Sequence, residues 1–388
     1  MLSFDLGDEL TALQATVRDF AAKQVRPALR ETEKHGASRA LEEKFAELGL
    51  FGLDWPEAAG GMGMGMVARA VVEEELAFGD LGTAFALDRG GGAACLLKAA
   101  GTEEALSALK DLAAGKDRAA LAVSEEGSAQ DDFRTVARAD GARWTLSGKK
   151  SFVLGGGDAG FHVVLAQVDA GKGLAGAGAF LVRGSDGLMA RGLTALGLSA
   201  VPLREVTFER TRAVRIDAPG QLPQLLRKFY DGLSVVTAAR AVGCASAAFE
   251  YARAYADDRH AFGKPIGHFQ AIAFLLSDMA TAADAARWLT WKAAWAADKG
   301  VATAEGAAAQ AQALETAFFC ANGAVQVLGG AGYVQDHPVE KWMREAKVLA
   351  LYGLNAQAAD ATLAAAELGQ STLAAELFPL PSLHASIS

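Results

Sequence analysis

Long basic runs, a basic and apolar leader, and any stretch of eighteen consecutive apolar residues are all missing from this 388-residue sequence. Each absence excludes a class. With 37 basic against 46 acidic residues, a net charge of -9 and no cluster of lysine and arginine, the chain has the wrong sign to attract a polyphosphate backbone, so no nucleic-acid partner is expected. No membrane span is expected either, and the start Met-Leu-Ser-Phe-Asp-Leu-Gly-Asp fits a cytoplasmic address. Cysteine is scarce: Cys95, Cys244 and Cys320 are odd in number and far apart, so they read as small buried thiols rather than metal ligands or a disulfide framework. Six scattered histidines form no zinc pattern, and no internal repeat is visible. What the chain has in quantity is apolar surface to bury. At 51% hydrophobic and 21% charged residues it can form a large core across two or three structural units.

The hydrophobic period changes twice. Leu6, Leu10, Leu13, Val17 and Phe20 alternate spacings of four and three, which predicts an amphipathic helix after a possible Asp5 cap. Helical text continues with glycine-rich breaks to about residue 115. Between about 120 and 215 the runs become short and β-like: Thr135–Arg138, Trp144–Leu146, His162–Ala166, Ala179–Val182 and Glu205–Phe208, with Asp140-Gly141 as a hairpin turn between the first two. Beyond Pro223, Leu233, Val236, Ala239 and Val242, then Phe269, Ile272, Leu276 and Met279, return to helical spacing. The alanine-rich text at 303–313 is a strong helix former.

Four stretches carry more specific information. They are Trp55-Pro-Glu-Ala-Ala-Gly-Gly-Met-Gly-Met with Val72-Glu-Glu-Glu-Leu-Ala-Phe-Gly, Leu146-Ser-Gly-Lys-Lys-Ser-Phe-Val-Leu-Gly-Gly, Tyr255-Ala-Asp-Asp-Arg-His-Ala-Phe-Gly-Lys-Pro-Ile-Gly-His-Phe-Gln270, and Gln326-Val-Leu-Gly-Gly-Ala-Gly-Tyr333 running into Val339–Lys347. In this order and spacing they resemble the acyl-CoA dehydrogenase family over nearly the full length. The resemblance implies a mostly α fold with a central β domain: an N-terminal helical domain (1–117), a middle β-barrel or sandwich (118–217) and a C-terminal four-helix bundle (218–388). It also implies FAD as cofactor, an acyl-CoA substrate, an electron-transfer flavoprotein as electron acceptor, and a homo- or hetero-oligomer built as a dimer of dimers, a tetramer.

Site residues follow from the same resemblance. Arg259 has a planar fork of donors suited to a flavin pyrophosphate, and Gln326 an amide suited to the adenosine end; the family places both on the flavin of a neighbouring subunit. Phe262 and Gln270 resemble positions that pack on or bond to that cofactor, and Gly329 and Gly330 let backbone approach a ligand. On local text alone, Arg259 also reads as an exposed helix-end arginine, Phe262 as core and the glycine pair as a turn. For the chain's own flavin the resemblance points to Ser124, at the head of the loop Ser124-Glu-Glu-Gly-Ser-Ala-Gln-Asp131, and to Phe152, Val153 and Leu154. Leu154 stands where the family has a threonine, so the side-chain hydrogen bond to the flavin is lost, worth roughly 0.5–1.5 kcal/mol.

The chemistry is where the sequence departs from the family. Removal of the α-proton requires a carboxylate, which the family commonly places directly after Tyr352, and Gly353 occupies that position. In a second branch the base sits on the preceding helix, where this chain has Leu233. Asp88, in Ala86-Leu-Asp-Arg-Gly-Gly, is a candidate substitute if burial raises its pKa; capping a helix or pairing with Arg89 is its plainer reading. Asp231 resembles a position that contacts the CoA portion of the substrate, or caps a helix. Three functions follow: FAD-dependent dehydrogenation as the base-deficient subunit of a mixed oligomer, self-sufficient acyl-CoA oxidoreduction through Asp88 or another carboxylate, and acyl-CoA binding or regulation without turnover.

Overall fold

The structure is a computed structural model that describes residues 5–126, 133–141, 143–301, 304–353 and 356–367. Seven helices come first: α1 (Gly7–Phe20), α2 (Arg26–His35), α3 (Arg39–Glu47), α4 (Gly65–Gly79), α5 (Leu81–Leu87), α6 (Gly91–Ala100) and α7 (Glu103–Ala113). A π-helical segment, Ala21–Val25, joins α1 to α2. Val17 and Phe20 of the expected apolar face enter the core, with Leu10 and Leu13 packed against it. Asp5 is not the cap; Leu6 holds that position in helical geometry, without a side-chain hydrogen bond.

Helix α4 is buried on nearly every side because each charge it carries inward has a partner on a different helix. Glu73, Glu74 and Glu75 follow one another and are all buried. Successive helical residues point about 100° apart, so three neighbours fan out to three directions. Glu73 accepts from Arg240, Glu74 from Arg287 (2.6 Å) and Trp291 (3.2 Å), and Glu75 from Gln14 (2.8 Å) and Arg18. At the junction of α4 and α5, Asp80 caps α5 through Thr83 N–H (2.9 Å) and binds the Lys341 ammonium (2.7 Å). Glu345 also takes the lysine (2.7 Å) and accepts the Gly82 N–H (3.1 Å). Burial, partly offset by Lys341, pushes the Glu345 carboxyl up to about 7.

The middle of the chain forms β1 (Ala119–Ala122), β2 (Val136–Asp140), β3 (Arg143–Leu154), β4 (Phe161–Gln167), β5 (Ala177–Arg183), β6 (Leu188–Leu193) and β7 (Leu203–Arg215). The pairings β4–β5, β5–β7, β7–β3, β3–β2 and β2–β4 return to their start, so five strands close on themselves as a barrel, with β1 and β6 as additions. The β-like runs of the sequence lie in strands except for Thr135, which precedes β2, and Asp140 pairs with Arg143 across the expected hairpin. Two strands lack a strong sequence signal: β1 has four residues, and β6 is largely exposed.

The rest is helical: α8 (Leu222–Asp258), α9 (Gln270–Lys299), α10 (Glu305–Leu328), α11 (Val339–Leu349) and α12 (Ala356–Glu367), with a small hairpin of β8 (His260–Ala261) and β9 (Lys264–Pro265) between α8 and α9. Helix α8 is the one described helix long and apolar enough to cross a membrane by length and composition, yet 89% of its apolar window is buried inside this fold. Its alanine-rich sides pack chiefly on α10 and α4. Asp298, near the end of α9, accepts from Met66 N–H (2.6 Å) and Val67 N–H (3.1 Å), closing the first turn of α4.

Candidate active site

A cleft of about 280 Å³ opens where the helical parts meet the barrel. Phe85, Asp88 and Gly92 line it from α5 and α6, Leu121 from β1, Leu154 from the end of β3, and Tyr352 from the segment after α11. Leu154 and Tyr352 therefore wall one cavity, although almost two hundred residues separate them.

Strand β3 ends in an irregularity that shapes this wall. The register against β7 shifts between Lys150 and Val153, and Phe152 within the shift has a φ of 56°. The bulge turns Phe152 outward, 65% exposed, while Val153 is buried and Leu154 faces the cleft. Ser124 is tied to the same place, since Ser151 N–H donates to its carbonyl at 2.8 Å. Below, the buried Lys150 ammonium donates to Glu125 (2.6 Å) and to the Val123 carbonyl (2.9 Å). Burial, offset in part by Glu125, brings this lysine down to about 8. Residues 127–131 of the loop that starts at Ser124 lie outside the described residues.

On the opposite wall, Tyr352 is held at three points. Its hydroxyl accepts the Gly92 N–H (3.0 Å), its carbonyl accepts from Gln310 (3.4 Å), and its ring meets Phe85 edge-on at 5.0 Å. Burial drives its pKa upward, so it remains a phenol. Gly92 is needed for this closeness: a Cβ there would lie 3.0 Å from Leu121 and 3.2 Å from the Tyr352 hydroxyl. Gly353, at φ 70°, is in the left-handed region. A side chain at Gly353 would run toward Leu233, so the two positions where the resemblance seeks a carboxylate converge on one spot, where the Gln310 amide nitrogen lies 3.8 Å from the built Cβ.

Asp88 does not have the raised pKa expected of a base. It faces the cleft as the acceptor of two helix-start amides, Gly90 (3.1 Å) and Gly91 (2.9 Å), and as the ion partner of Arg240 (2.5 Å) and Arg69 (3.3 Å). Burial alone would raise its carboxyl, but Arg240 and then Arg69 outweigh it and hold the group well below the usual carboxylate range. Its partners are these two arginines; Arg89 instead donates to the Gly115 carbonyl (2.6 Å) and Glu42 (3.4 Å). The cluster extends through Glu73, which takes Arg240 at 2.6 Å and Arg69 at 2.5 Å, to Asp54, which takes Lys98 at 2.6 Å.

Asp231 lies elsewhere. Two residues before Leu233 on α8, it is not among the residues that line the cleft, and its backbone packs against Gly306 at the start of α10. Burial first, and Glu305 second, raise its pKa to about 6 against the opposing influence of Arg227.

The remaining candidates form a third group at one end of the helical bundle. Arg259 caps α8, Phe262 sits at the tip of the β8–β9 hairpin and is 96% exposed, and Gln270 begins α9. Helix α10 runs antiparallel to α9, since Gly323 lies against Met279 and Leu275. This brings the exposed Gln326, Gly329 and Gly330 to the same end. The structure thus joins Leu154 and Asp88 at the cleft, with Ser124 and Phe152 beside them at the end of β3, and keeps six residues on an outer surface.

Phe85, Gly92, Arg240 and Gln310 were not evident as site residues from the sequence. Arg240 offered one signal: it is a lone charge between Val236 and Val242 in an apolar helix, a placement that requires a buried partner.

Models of acyl-CoA dehydrogenase N-terminal, middle and C-terminal domains match residues 7–116, 120–211 and 233–363. A probable acyl-CoA dehydrogenase, fadE25, of Mycobacterium leprae is 34% identical over 364 residues, covering 90% of this chain and 92% of that protein. The mitochondrial short-chain specific acyl-CoA dehydrogenase of Bos taurus is 33% identical over 365 residues, covering 90% and 88%. The solved butyryl-CoA dehydrogenase of Megasphaera elsdenii superposes with a TM-score of 0.88 at 28% identity, covering 95% of this chain and 100% of that one.

Proposed function

Because this chain belongs to the acyl-CoA dehydrogenase family of oxidoreductases, we propose that it binds FAD and an acyl-CoA thioester and serves α,β-dehydrogenation as the base-deficient subunit of a mixed oligomer. The observation that carries this reading is that a Cβ at Gly353 would meet Leu233 at 3.1 Å. Both positions that would present a carboxylate to the substrate's α-carbon are filled by groups that take no proton, and Asp88 is committed to two arginines.

The residues present fit the ring end of the cofactor. A cleft lies between the side chains of Leu154 and Tyr352, Phe152 offers an exposed aromatic at the end of β3, and Ser124 is fixed beside it. When bound, FAD supplies the hydride acceptor. Leu154 contacts the ring without donating to it. The Gly353 N–H donates to the thioester carbonyl, Tyr352 excludes water from one side of the acyl group, and Asp231 borders the CoA portion. Arg259, Phe262, Gln270, Gln326, Gly329 and Gly330 hold the nucleotide of the neighbouring subunit. Their exposure supports that role, as do exposed Phe274 and Trp295 on α9 and Phe318 and Phe319 on α10, an apolar surface suited to a tetramer. An electron-transfer flavoprotein receives the electrons.

The deciding measurement compares the chain alone with the chain co-expressed with a family member that keeps the carboxylate, following bound flavin and acyl-CoA oxidation together. Flavin retention without turnover alone, and turnover above the partner's own in the mixture, supports the reading. Brisk oxidation by the lone chain, at about 1 s⁻¹ or faster, overturns it. CoA-thioester binding with no gain in the mixture makes the chain a non-catalytic binder instead.

A further inference from the structure

Resting on the acyl-CoA reading, we infer that the cleft accepts only short acyl groups, with Phe85 as the residue that sets the limit. In that reading the reacting carbons lie between Leu154 and Tyr352. A longer acyl tail has to continue past Tyr352 into the space between α5, α6 and α8. That space is filled by a stack. The Phe85 ring stands edge-on to Tyr352 at 5.0 Å and 89°, and the Arg240 guanidinium covers Phe85 at 4.3 Å.

Neither end of the stack is free to yield. Tyr352 is held by Gly92 and Gln310, and Arg240 by Glu73 and Asp88. The side exit is shut as well, because Leu121 and Leu233 both close on Gly92, within 3.0 and 3.7 Å of where its Cβ would be. Behind Phe85 the ions are matched in sign: buried Arg69 and Arg240 and half-buried Lys98 face Asp54, Glu73 and Asp88. An aliphatic tail pushed among them would separate paired charges without replacing their bonds, and a charged tail would find each opposite charge already engaged. The cavity holds about 280 Å³, below the roughly 300–1,000 Å³ usual for ligand pockets, which leaves little room for an extended chain.

The test uses unreactive alkyl-CoA thioethers, from propyl and butyl to octyl and dodecyl, titrated calorimetrically into the full chain as isolated. The expected result is propyl and butyl binding with octyl weaker by at least about tenfold, reversing the usual gain from added methylenes. Phe85→Ala should narrow the gap between octyl and butyl to within about threefold, and Phe85→Leu should give a smaller move in the same direction. Octyl binding as tightly as butyl in the parent overturns the size limit but leaves the acyl-CoA reading standing. An unchanged octyl deficit in both folded variants overturns the assignment to Phe85. Failure of every thioether to bind overturns the acyl-CoA reading and the size limit together.

Discussion

Leu233 occupies the space that a side chain at Gly353 would enter: a Cβ built on the glycine stands 3.1 Å from Leu233 Cδ2 and 3.4 Å from its Cγ. Restoring a carboxylate at 353 therefore requires room as well as charge. Gly353→Glu alone should fold less stably, by about 1–3 kcal/mol from the left-handed backbone, and add little turnover. Leu233→Glu uses backbone that is already helical. It should raise dye-coupled oxidation of a short acyl-CoA by about 10²–10⁴, as should Gly353→Glu combined with Leu233→Ala. No gain from either would mean that the cleft lacks more than its base.

Asp88→Asn distinguishes an ion partner from a base. It leaves Arg240 and Arg69 facing a neutral amide in a buried site, and urea unfolding should show a loss of about 3–5 kcal/mol. A variant with parental stability and reduced turnover would restore Asp88 as a candidate base.

Asp231 gives a pH signature. Its carboxyl is raised to about 6 in the folded chain, so it favours folding most below the unfolded value near 3.8 and loses that contribution as pH climbs through 6. Asp231→Asn lacks the ionisation. Its urea midpoint relative to the parent should therefore rise between about pH 4 and pH 7. A constant difference across that range would show that Asp231 titrates as an ordinary surface acid.

Arg259→Ala and Gln326→Ala remove exposed groups, so each should change stability by no more than about 0.5 kcal/mol. Flavin absorbance per chain in the oligomer should nevertheless fall, with the arginine change the larger of the two. Full flavin retention in the double variant would remove these residues from the nucleotide site.

Much of the fold was legible because period and turn chemistry are local. The 3.6-residue spacing of Leu233, Val236 and Val242, the alternation around Trp144 and the Asp140-Gly141 turn are each set by a few neighbouring residues. Four-residue β1 and exposed β6 escaped because neither carries a buried face long enough to repeat. In the site, the sequence marked positions but not their surroundings. Asp88 illustrates the difference. Its pKa depends on Arg240, 152 residues away, and that pairing brings it down where burial without a partner would send it up. Likewise, Gly353 and Leu233 appeared as two separate vacancies, and only the packing of α8 beside the segment after α11 makes them one.

The three consecutive glutamates of α4 also restrict how the length of this chain can vary. A one-residue insertion or deletion between Gly65 and Val72 turns everything downstream by about 100°, so one end of the run leaves its cation: Glu75 would swing onto the buried apolar position of Leu76, or Glu73 onto that of Val72. The flanking loops can absorb added residues, but this stretch of helix has to keep its count.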